Sequence, residues 1–99
     1  MKRLLVTGRH GFVGSTLARM VSRDPALRAW RVIDTPGARD LREPGAAAAL
    51  VGSEPPDAVI HLAAQSWVPD AFRDPATTLQ VNILGTLNVL HALQAAGFD

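Results

Sequence analysis

The sequence of 99 residues has no cysteine, no tyrosine and a single lysine, Lys2. Because cysteine is absent, the chain can form neither a disulfide framework nor a thiolate metal site, and a cytoplasmic location is expected. No stretch reaches the ~18 apolar residues that a membrane span needs, and Met1 to Val6 hold too few apolar residues for the core of a signal peptide. Ten basic and nine acidic residues leave a net charge of +1, which argues against nucleic acid and membrane surfaces as partners.

Nearly half of the residues are apolar, which suits a small globular domain, and apolar runs alternate with stretches of helical periodicity. Leu4 to Val6 predicts a short strand, Phe12 to about Arg23 predicts a helix, and Trp30 to Asp34 predicts a second strand. The pattern allows a very short strand around residues 39–41. It favours a helix from Gly45 to Val51, since a proline precedes this stretch where the first turn would begin.

The second half of the chain begins with a continuous apolar run, Ala58 to Ala64, which is typical of a strand buried on both faces of a parallel sheet. Asp74-Pro75 then opens a long helix from about Ala76 to Ala96, and Gly97 suits the position after its end. Two apolar stripes run along this helix, one of Leu79, Ile83, Leu87 and Leu90, and another of Val81 and Leu84. One face can therefore pack on the sheet while the other requires a partner.

Strands and helices that alternate at these lengths predict an α/β fold with a parallel sheet and right-handed crossovers. The sheet would hold about three or four strands. The chain ends where a further strand is expected, so the strand at Val59 to Ala63 would become an apolar edge, which is an aggregation hazard. We therefore expect the N-terminal part of a longer enzyme, or a truncated product of one.

Three glycines lie between the first strand and the first helix, in the sequence Thr7-Gly8-Arg9-His10-Gly11-Phe12-Val13-Gly14. Gly8 lets the chain turn out of the strand, Gly11 lets the backbone approach a pyrophosphate, and Gly14 lets the helix pack closely on the strand. The free N–H groups and the dipole at a helix N-terminus also favour an anion. The spacing therefore predicts a dinucleotide site formed by Gly8, Arg9, His10, Gly11, Phe12, Val13 and Gly14.

Asp34 bears on which dinucleotide binds. It follows the glycine motif at the end of the second strand, where a carboxylate can accept hydrogen bonds from both ribose hydroxyls. Such a carboxylate would repel a 2′-phosphate and would favour NAD, unless it is only a solvated turn residue. Arg9 and Arg39 could instead stabilise a 2′-phosphate through charge-assisted contacts and would favour NADP. The sequence therefore predicts NADP or NAD and leaves the choice open.

Three motifs carry a family resemblance: Thr7-Gly8-x-x-Gly11-Phe12-x-Gly14, His61-Leu62-Ala63-Ala64 after the central strand, and Val81-Asn82-x-x-Gly85-Thr86-x-Asn88-x-Leu90 in the long helix. In this order they resemble the extended short-chain dehydrogenases/reductases that modify nucleotide sugars, also known as the NAD-dependent epimerase/dehydratase family. Pro56 to Pro75 is most similar to the GDP-4-keto-6-deoxy-D-mannose reductases, close relatives of GDP-mannose 4,6-dehydratase. The resemblance covers the whole chain and corresponds to the first part of such an enzyme.

The resemblance implies a Rossmann-type parallel sheet with flanking helices, incomplete because only the N-terminal portion of the domain is covered. It also implies that Gly8, Gly11 and Gly14 line the pyrophosphate of the cofactor. The remaining cofactor-binding positions that it implies are Asp40 and Leu41 beside the adenine, Leu62, Ala63 and Ala64 under the adenine-side ribose, Ser66 near the nicotinamide half, and Asn82 where the long helix meets the strand end.

A complete enzyme of this kind would reduce the 4-keto group of a GDP-6-deoxyhexose, and a nucleotide-sugar 4,6-dehydratase or epimerase is the alternative. Its helix corresponding to residues 76–96 would join a four-helix bundle between subunits, which implies a homodimer. The Tyr-x-x-x-Lys pair on which the family's catalysis rests has no counterpart in this sequence. We therefore predict no catalytic residue and no turnover by the chain alone. As an alternative, the chain could be a non-catalytic binding module or an inactive remnant.

The histidines and Ser66 offer little other chemistry. His10, His61 and His91 lie without a carboxylate or second histidine at ligand spacing, so we predict structural roles and no metal site. Ser66 has no histidine and acid arranged with it as a triad, which argues against a hydrolase.

Two aromatic residues follow the apolar run. Trp67 and Phe72 could border a sugar-nucleotide pocket, because ligands of such sheets bind beyond the carboxyl ends of the strands, or they could belong to a local core. The sequence favours neither interpretation.

Overall fold

The computed structural model describes residues 1–35, 40–64 and 68–99 of the chain. Within this part a parallel sheet is formed by the strands β1 (Lys2–Thr7), β2 (Trp30–Val32) and β3 (Ala58–His61). The strand order is β2-β1-β3, so β1 lies between the other two. Leu5, Val6 and Thr7 of β1 are fully buried, since the central strand of a parallel sheet is covered on both faces. The predicted parallel α/β sheet is confirmed.

Both outer strands are shorter than the apolar runs predicted. β2 ends at Val32 instead of Asp34, because β1 pairs with it only as far as Leu4. β3 ends at His61 instead of Ala64, because its partner β1 ends at Thr7, which lies opposite His61. The segments that follow both strands therefore leave the ladder at the carboxyl edge of the sheet.

Helices cover both faces of the sheet. α1 (Phe12–Arg23) begins and ends as predicted, and its Val21 packs with Leu4 and Val6 on one face. The other face is covered by α2 (Ala46–Val51) and α5 (Gly85–Ala95). Its core consists of Leu5, Ala47, Val51, Val89 and Leu93. The residues of β1 thus alternate between two cores, as expected for the central strand of a three-layer α/β arrangement.

The long helix predicted from Ala76 to Ala96 is present, but its hydrogen-bond pattern changes in the middle. α4 (Pro75–Leu79) is followed by a π-helical segment, Gln80–Leu84, and then by α5. Leu79 and Gly85, on either side of this segment, both have right-handed helical φ and ψ angles, so the helix is not interrupted. A π-helical segment is one wider turn and is frequent at functional sites. It leaves no clear mark on the apolar periodicity, which is why the sequence did not predict it.

Both ends of the long helix are capped as the sequence predicts. Asp74 accepts a hydrogen bond from the Thr77 amide at 3.1 Å. At the other end Gly97 has a φ of 88°, and the Phe98 amide donates to the Leu93 carbonyl at 2.9 Å. These are the glycine and the hydrogen bond of a Schellman motif.

A helix that the sequence pattern does not predict lies between β3 and α4. It is α3 (Val68–Arg73), in which the Arg73 guanidinium lies 2.8 Å from the Asp70 carboxylate. The proline and acidic residue in its first turn are compatible with a helix start, but six residues are too few for a clear periodicity.

The very short strand considered around residues 39–41 is not formed by the two of these residues that the structure describes. The Arg42 amide donates to the Asp40 carboxylate at 2.9 Å, and the Glu43 amide donates to the Asp40 carbonyl at 3.0 Å. These bonds close a turn at Asp40 and Leu41, a common role of aspartate. Arg39 lies outside the described residues.

Two apolar surfaces are left exposed. β3 has no neighbour on its far side in the described part of the chain, and its Ile60 is 37% exposed. The second surface, which we call the helix stripe, consists of Leu79, Ile83, Leu84, Leu87 and Leu90. Leu84 was predicted on a different side of the helix from the others, but it is exposed with them. Among the described helices, none is long and apolar enough to cross a membrane.

Candidate functional site

The glycine turn lies directly against the segment that follows β3. Gly8 has a φ of 73°, a left-handed conformation that favours glycine. A Cβ atom at Gly8 would lie 3.0 Å from the Ala63 amide nitrogen and 3.1 Å from the Leu62 carbonyl carbon. The exits of two neighbouring strands therefore pack backbone against backbone, and a side chain at position 8 would push them apart.

Gly14 brings α1 equally close to the turn. A Cβ atom at Gly14 would collide with the Gly8 carbonyl oxygen and would lie 2.8 Å from the Cα atom of Arg9. Gly11 is the N-cap of α1, and its amide donates to the Gly8 carbonyl at 3.0 Å. No described side chain caps the first turn of α1. The amide donors of that turn are therefore left for a ligand or for water.

Three further residues of the predicted site surround the start of α1 and are exposed. They are His10, Phe12 and Val13, of which Phe12 is 87% exposed and Val13 is 59% exposed. The uncapped amide groups are thus bordered by an apolar rim that packs on little else. Such a rim can cover the apolar parts of a nucleotide.

Arg9 lies between the glycine turn and the end of β2. Its Nη1 atom lies 3.6 Å from the Asp34 carboxylate, and the Asp34 side chain is 96% exposed. The Arg9 Nε atom is buried and has no hydrogen-bond partner. Every other buried side-chain nitrogen or oxygen of the described residues has one. A buried N–H without an acceptor is unfavourable. Arg9, which favours NADP, and Asp34, which favours NAD, therefore form a loose ion pair, and the Nε–H group of Arg9 beside it has no acceptor.

A series of hydrogen bonds lies behind the glycine turn. The Thr7 hydroxyl oxygen accepts from the amides of Leu62 at 3.0 Å and Ala63 at 3.1 Å, and the hydroxyl also bonds His61 Nδ1. His61 Nε2 lies 2.9 Å from the Thr86 hydroxyl oxygen. Burial lowers the pKa of His61, so its imidazole is neutral at neutral pH.

Asn82 and Thr86 belong to the long helix and join the same series. The Thr86 hydroxyl donates to the Asn82 carbonyl at 2.6 Å. Asn82 is thereby linked through His61 to the segment after β3, where Ala64 is exposed next to Ala63. Ser66, the remaining residue predicted on this side, lies outside the described residues, as does Trp67.

Asp40 and Leu41 are held by other contacts. The Arg42 guanidinium binds both carboxylate oxygens of Asp40, the nearest at 2.6 Å, and these bonds lower the Asp40 pKa to about 2. The Asn88 side-chain amide donates to the Leu41 carbonyl at 2.8 Å. No hydrogen bond or ion pair of the described residues joins this pair to the glycine turn.

Thr7, Thr86 and Arg42 organise the site but are not predicted from the sequence. Thr7 and Thr86 are both part of the sequence motifs. The feature that could have revealed Thr7 is its position at the buried end of β1, where a hydroxyl requires a hydrogen-bond partner. His61 was predicted to have a structural role, and its place in the hydrogen-bond series agrees with that role. Among the described residues, no three potential metal ligands lie together.

Three regions carry the motifs of the sequence: the glycine turn, the segment after β3 and the long helix. A model of the NAD dependent epimerase/dehydratase family matches residues 4–99. The chain belongs to this family. The match includes all three regions, so the family resemblance predicted from the motifs is confirmed.

Relatives within the NAD dependent epimerase/dehydratase family are much longer than this chain. GDP-6-deoxy-D-mannose reductase from Pseudomonas aeruginosa is 53% identical over 98 residues, which cover 99% of this chain and 31% of that protein. The solved structure of RMD from Pseudomonas aeruginosa, complexed with NADPH, has a TM-score of 0.86 at 50% identity and covers 100% of this chain and 33% of its own. UDP-glucose 4-epimerase from Thermus thermophilus, complexed with NAD, has a TM-score of 0.69 at 29% identity, covering 98% of this chain and 35% of its own. The chain thus spans about a third of the length of these relatives.

Proposed function

We propose that these 99 residues are the N-terminal, coenzyme-binding part of an NAD(P)-dependent enzyme that acts on a nucleotide sugar. Its reaction would be the reduction of the 4-keto group of a GDP-6-deoxyhexose. The observation that carries this proposal is the 53% identity to GDP-6-deoxy-D-mannose reductase along 99% of the chain. A nucleotide-sugar 4,6-dehydratase or epimerase is the alternative, since an epimerase shares the fold at 29% identity.

The residues at the glycine turn fit a dinucleotide. The uncapped first turn of α1 presents backbone donors, and the Arg9 Nε atom is a buried donor without a partner. The oxygens of a pyrophosphate are acceptors that suit both. The close packing at Gly8 and Gly14 also holds this helix end at the carboxyl edge of the sheet, which is where open α/β sheets bind their ligands.

The nicotinamide of a bound cofactor would supply the hydride chemistry at the sugar carbon. The glycines Gly8, Gly11 and Gly14 would hold the pyrophosphate. The other residues that we propose at the cofactor are Arg9, His10, Phe12 and Val13 around the helix start, Asp34 at the ribose, Asp40 and Leu41 at the adenine, Leu62, Ala63 and Ala64 under the ribose, and Ser66 and Asn82 towards the nicotinamide.

Asp40 would contribute to the adenine site in an indirect way. Both of its carboxylate oxygens are already bonded to Arg42, so they compete poorly for a further donor. Its turn presents the backbone of Leu41, whose carbonyl is fixed to α5 by Asn88. We infer that Asp40 shapes the backbone on which an adenine would lie.

We also propose that the complete enzyme is a cytoplasmic homodimer that pairs through residues 76–96. The helix stripe supports this proposal, because Ile83 is 64% exposed and Leu90 is 57% exposed on one side of that helix. Contiguous exposed apolar surface of this kind is typical of protein interfaces. The near-zero net charge of +1 gives no support to a nucleic-acid partner.

The predicted inactivity of the chain alone is tested by adding the purified chain to NADPH and a GDP-4-keto-6-deoxyhexose and following the absorbance of NADPH. We expect no oxidation of NADPH above the rate without protein, because the sequence contains no tyrosine to protonate the substrate oxygen. Oxidation that depends on the keto sugar would contradict the prediction that these 99 residues alone have no turnover.

A further inference from the structure

The proton on the His61 imidazole is determined by its neighbour Thr86. The Thr86 hydroxyl has one hydrogen and donates it to the Asn82 carbonyl, 2.6 Å away, and a carbonyl can only accept. His61 Nε2 lies 2.9 Å from the same hydroxyl oxygen. Nε2 must therefore be the donor in that contact, and the ring carries its hydrogen on Nε2.

The contacts of Thr7 lead to the same tautomer. Its hydroxyl oxygen accepts from the Ala63 amide and from the Leu62 amide, which it shares with the Thr7 carbonyl, and these two donors occupy the lone pairs of the hydroxyl oxygen. The hydroxyl hydrogen is then directed to His61 Nδ1, its third partner. Nδ1 is the acceptor, and the neutral Nε2–H tautomer satisfies every group of the series.

We propose that His61 is a positioning residue whose Nε2–H tautomer sets the place of Leu62–Ala63 and of the π-helical segment Gln80–Leu84 relative to the glycine turn. The proposal rests on the proposed function, because the backbone that His61 positions belongs to the proposed cofactor site. The series that His61 connects reaches both sides of that site, and no described group in it is left unpaired.

The path from His61 to the glycine turn is short. Thr7, which His61 orients, precedes Gly8 in the chain. The Ala63 amide that Thr7 binds is the same nitrogen that a Cβ atom at Gly8 would approach to 3.0 Å. A change in the hydroxyl of Thr7 therefore moves the backbone on which Gly8 packs.

The path from His61 to the long helix ends in the wide turn. A wide turn inside an α-helix persists where its surroundings hold it. Thr86 supplies such a hold, because its hydroxyl binds the Asn82 carbonyl inside the segment and accepts from His61 outside it. Since a protonated ring would have no acceptor for Thr7, the lowering of the His61 pKa by burial agrees with the neutral form.

The first test needs neither a variant nor a cofactor. Nitrogen NMR of the ¹⁵N-histidine-labelled chain at neutral pH reports which ring nitrogen is protonated. We expect His61 to show a protonated Nε2 and a bare Nδ1, whereas the exposed His10 and His91 serve as references in the same spectrum. An Nδ1–H tautomer or a charged ring at His61 would overturn the proposal.

The second test separates positioning from a merely structural role. Thr86→Val removes the hydroxyl at nearly constant shape, and Thr86→Ser retains it as the matched control. We expect the Kd for NADPH to rise about threefold to tenfold in Thr86→Val, as for the loss of one hydrogen bond, and to stay near that of the unmodified chain in Thr86→Ser. Both are compared at a temperature at which circular dichroism shows them folded, and equal Kd values for Thr86→Val and the unmodified chain overturn the proposal.

Two conservative variants of His61 divide the series into its halves. His61→Gln offers a donor near Thr86, and His61→Asn offers an acceptor near Thr7, so we expect each to retain more NADPH affinity than His61→Ala. Equal affinity of all three variants contradicts the proposal.

Failure of the proposed function would be recognised separately. If the unmodified chain binds no NADPH, the coenzyme proposal is wrong. Hydrogen exchange of the Ala63 amide then tests whether His61 positions the Leu62–Ala63 backbone. We expect that amide to exchange faster in Thr86→Val than in Thr86→Ser, and equal rates would overturn the positioning role.

Discussion

At the scale of single residues, Arg9 stands out because its guanidinium has few polar partners for its donor groups. Its ion pair with Asp34 spans 3.6 Å to a carboxylate that is 96% exposed, and such pairs contribute only about 0–1 kcal/mol. Its Nε atom is buried without an acceptor. The guanidinium is therefore bound only weakly and is available to a stronger anion than Asp34.

The Arg9–Asp34 pair makes cofactor preference testable. Asp34→Asn should raise the ratio of NADPH to NADH affinity, because it removes a competitor for Arg9 and a charge that repels a 2′-phosphate. Arg9→Gln should lower that ratio by about tenfold or more, the usual effect of losing a hydrogen bond to a charged group. Asp99→Asn, which raises the net charge by one at the exposed last residue, is the matched control for Asp34→Asn. Unchanged ratios in both site variants would show that neither residue contacts the ribose.

His61 gives the stability of the chain a dependence on pH. Burial lowers its pKa from the ordinary value of 6.5. Below pH 6.5 the His61 ring is protonated in the unfolded chain but stays neutral in the folded chain. The free energy of unfolding therefore falls as the pH is lowered. Urea unfolding should therefore show a steeper loss between about pH 7 and about pH 5 for the unmodified chain than for His61→Gln. Parallel curves would mean that folding leaves the pKa of His61 unchanged.

At the scale of elements, the parts predicted from sequence are those decided by local chemistry. The limits of α1, the cap at Asp74 and the glycine at Gly97 follow from residue types within one turn, and so do the three glycines of the turn. The ends of β2 and β3, the π-helical segment and the Thr7–His61 contact depend on residues up to 54 positions apart. No local pattern carries that information, so the site could be located from sequence but not its internal hydrogen bonds.

The crowding at Gly8 can be separated from its backbone strain. Gly8 and Gly45 have similar φ angles of 73° and 79°, but a Cβ atom at Gly45 would meet nothing within 4 Å. Gly45→Ala should lower the free energy of unfolding by about 1–2 kcal/mol, the cost of a left-handed conformation. Gly8→Ala should lower it by about 1–3 kcal/mol more, because its Cβ crowds the Ala63 backbone. Equal losses in urea unfolding would contradict this close packing of the turn on the segment after β3.

At the scale of the whole molecule, the chain exposes more surface than its length requires. Its accessible surface is 6555 Å², whereas a compact monomer of this length would expose about 5,400 Å². The helix stripe and the β3 edge account for apolar parts of this excess. The molecule therefore has surfaces that are suited to contacts with further protein.

The helix stripe should make the isolated chain associate with itself. Ile83→Lys places a charge where the side chain is 64% exposed within the stripe, and it should shift the sedimentation profile towards the monomer. Ala49→Lys adds the same charge at an exposed position on α2 and should leave the association unchanged. A profile that responds equally to both substitutions would contradict pairing through the stripe.

Calorimetric titration of the folded 99-residue chain with NADPH and with NADH shows most directly whether the glycine turn is a working cofactor half-site. We predict saturable binding of one dinucleotide per chain, weaker in Gly14→Ala because its Cβ would collide with the Gly8 carbonyl. A chain that is folded by circular dichroism and releases no heat with either dinucleotide would contradict it.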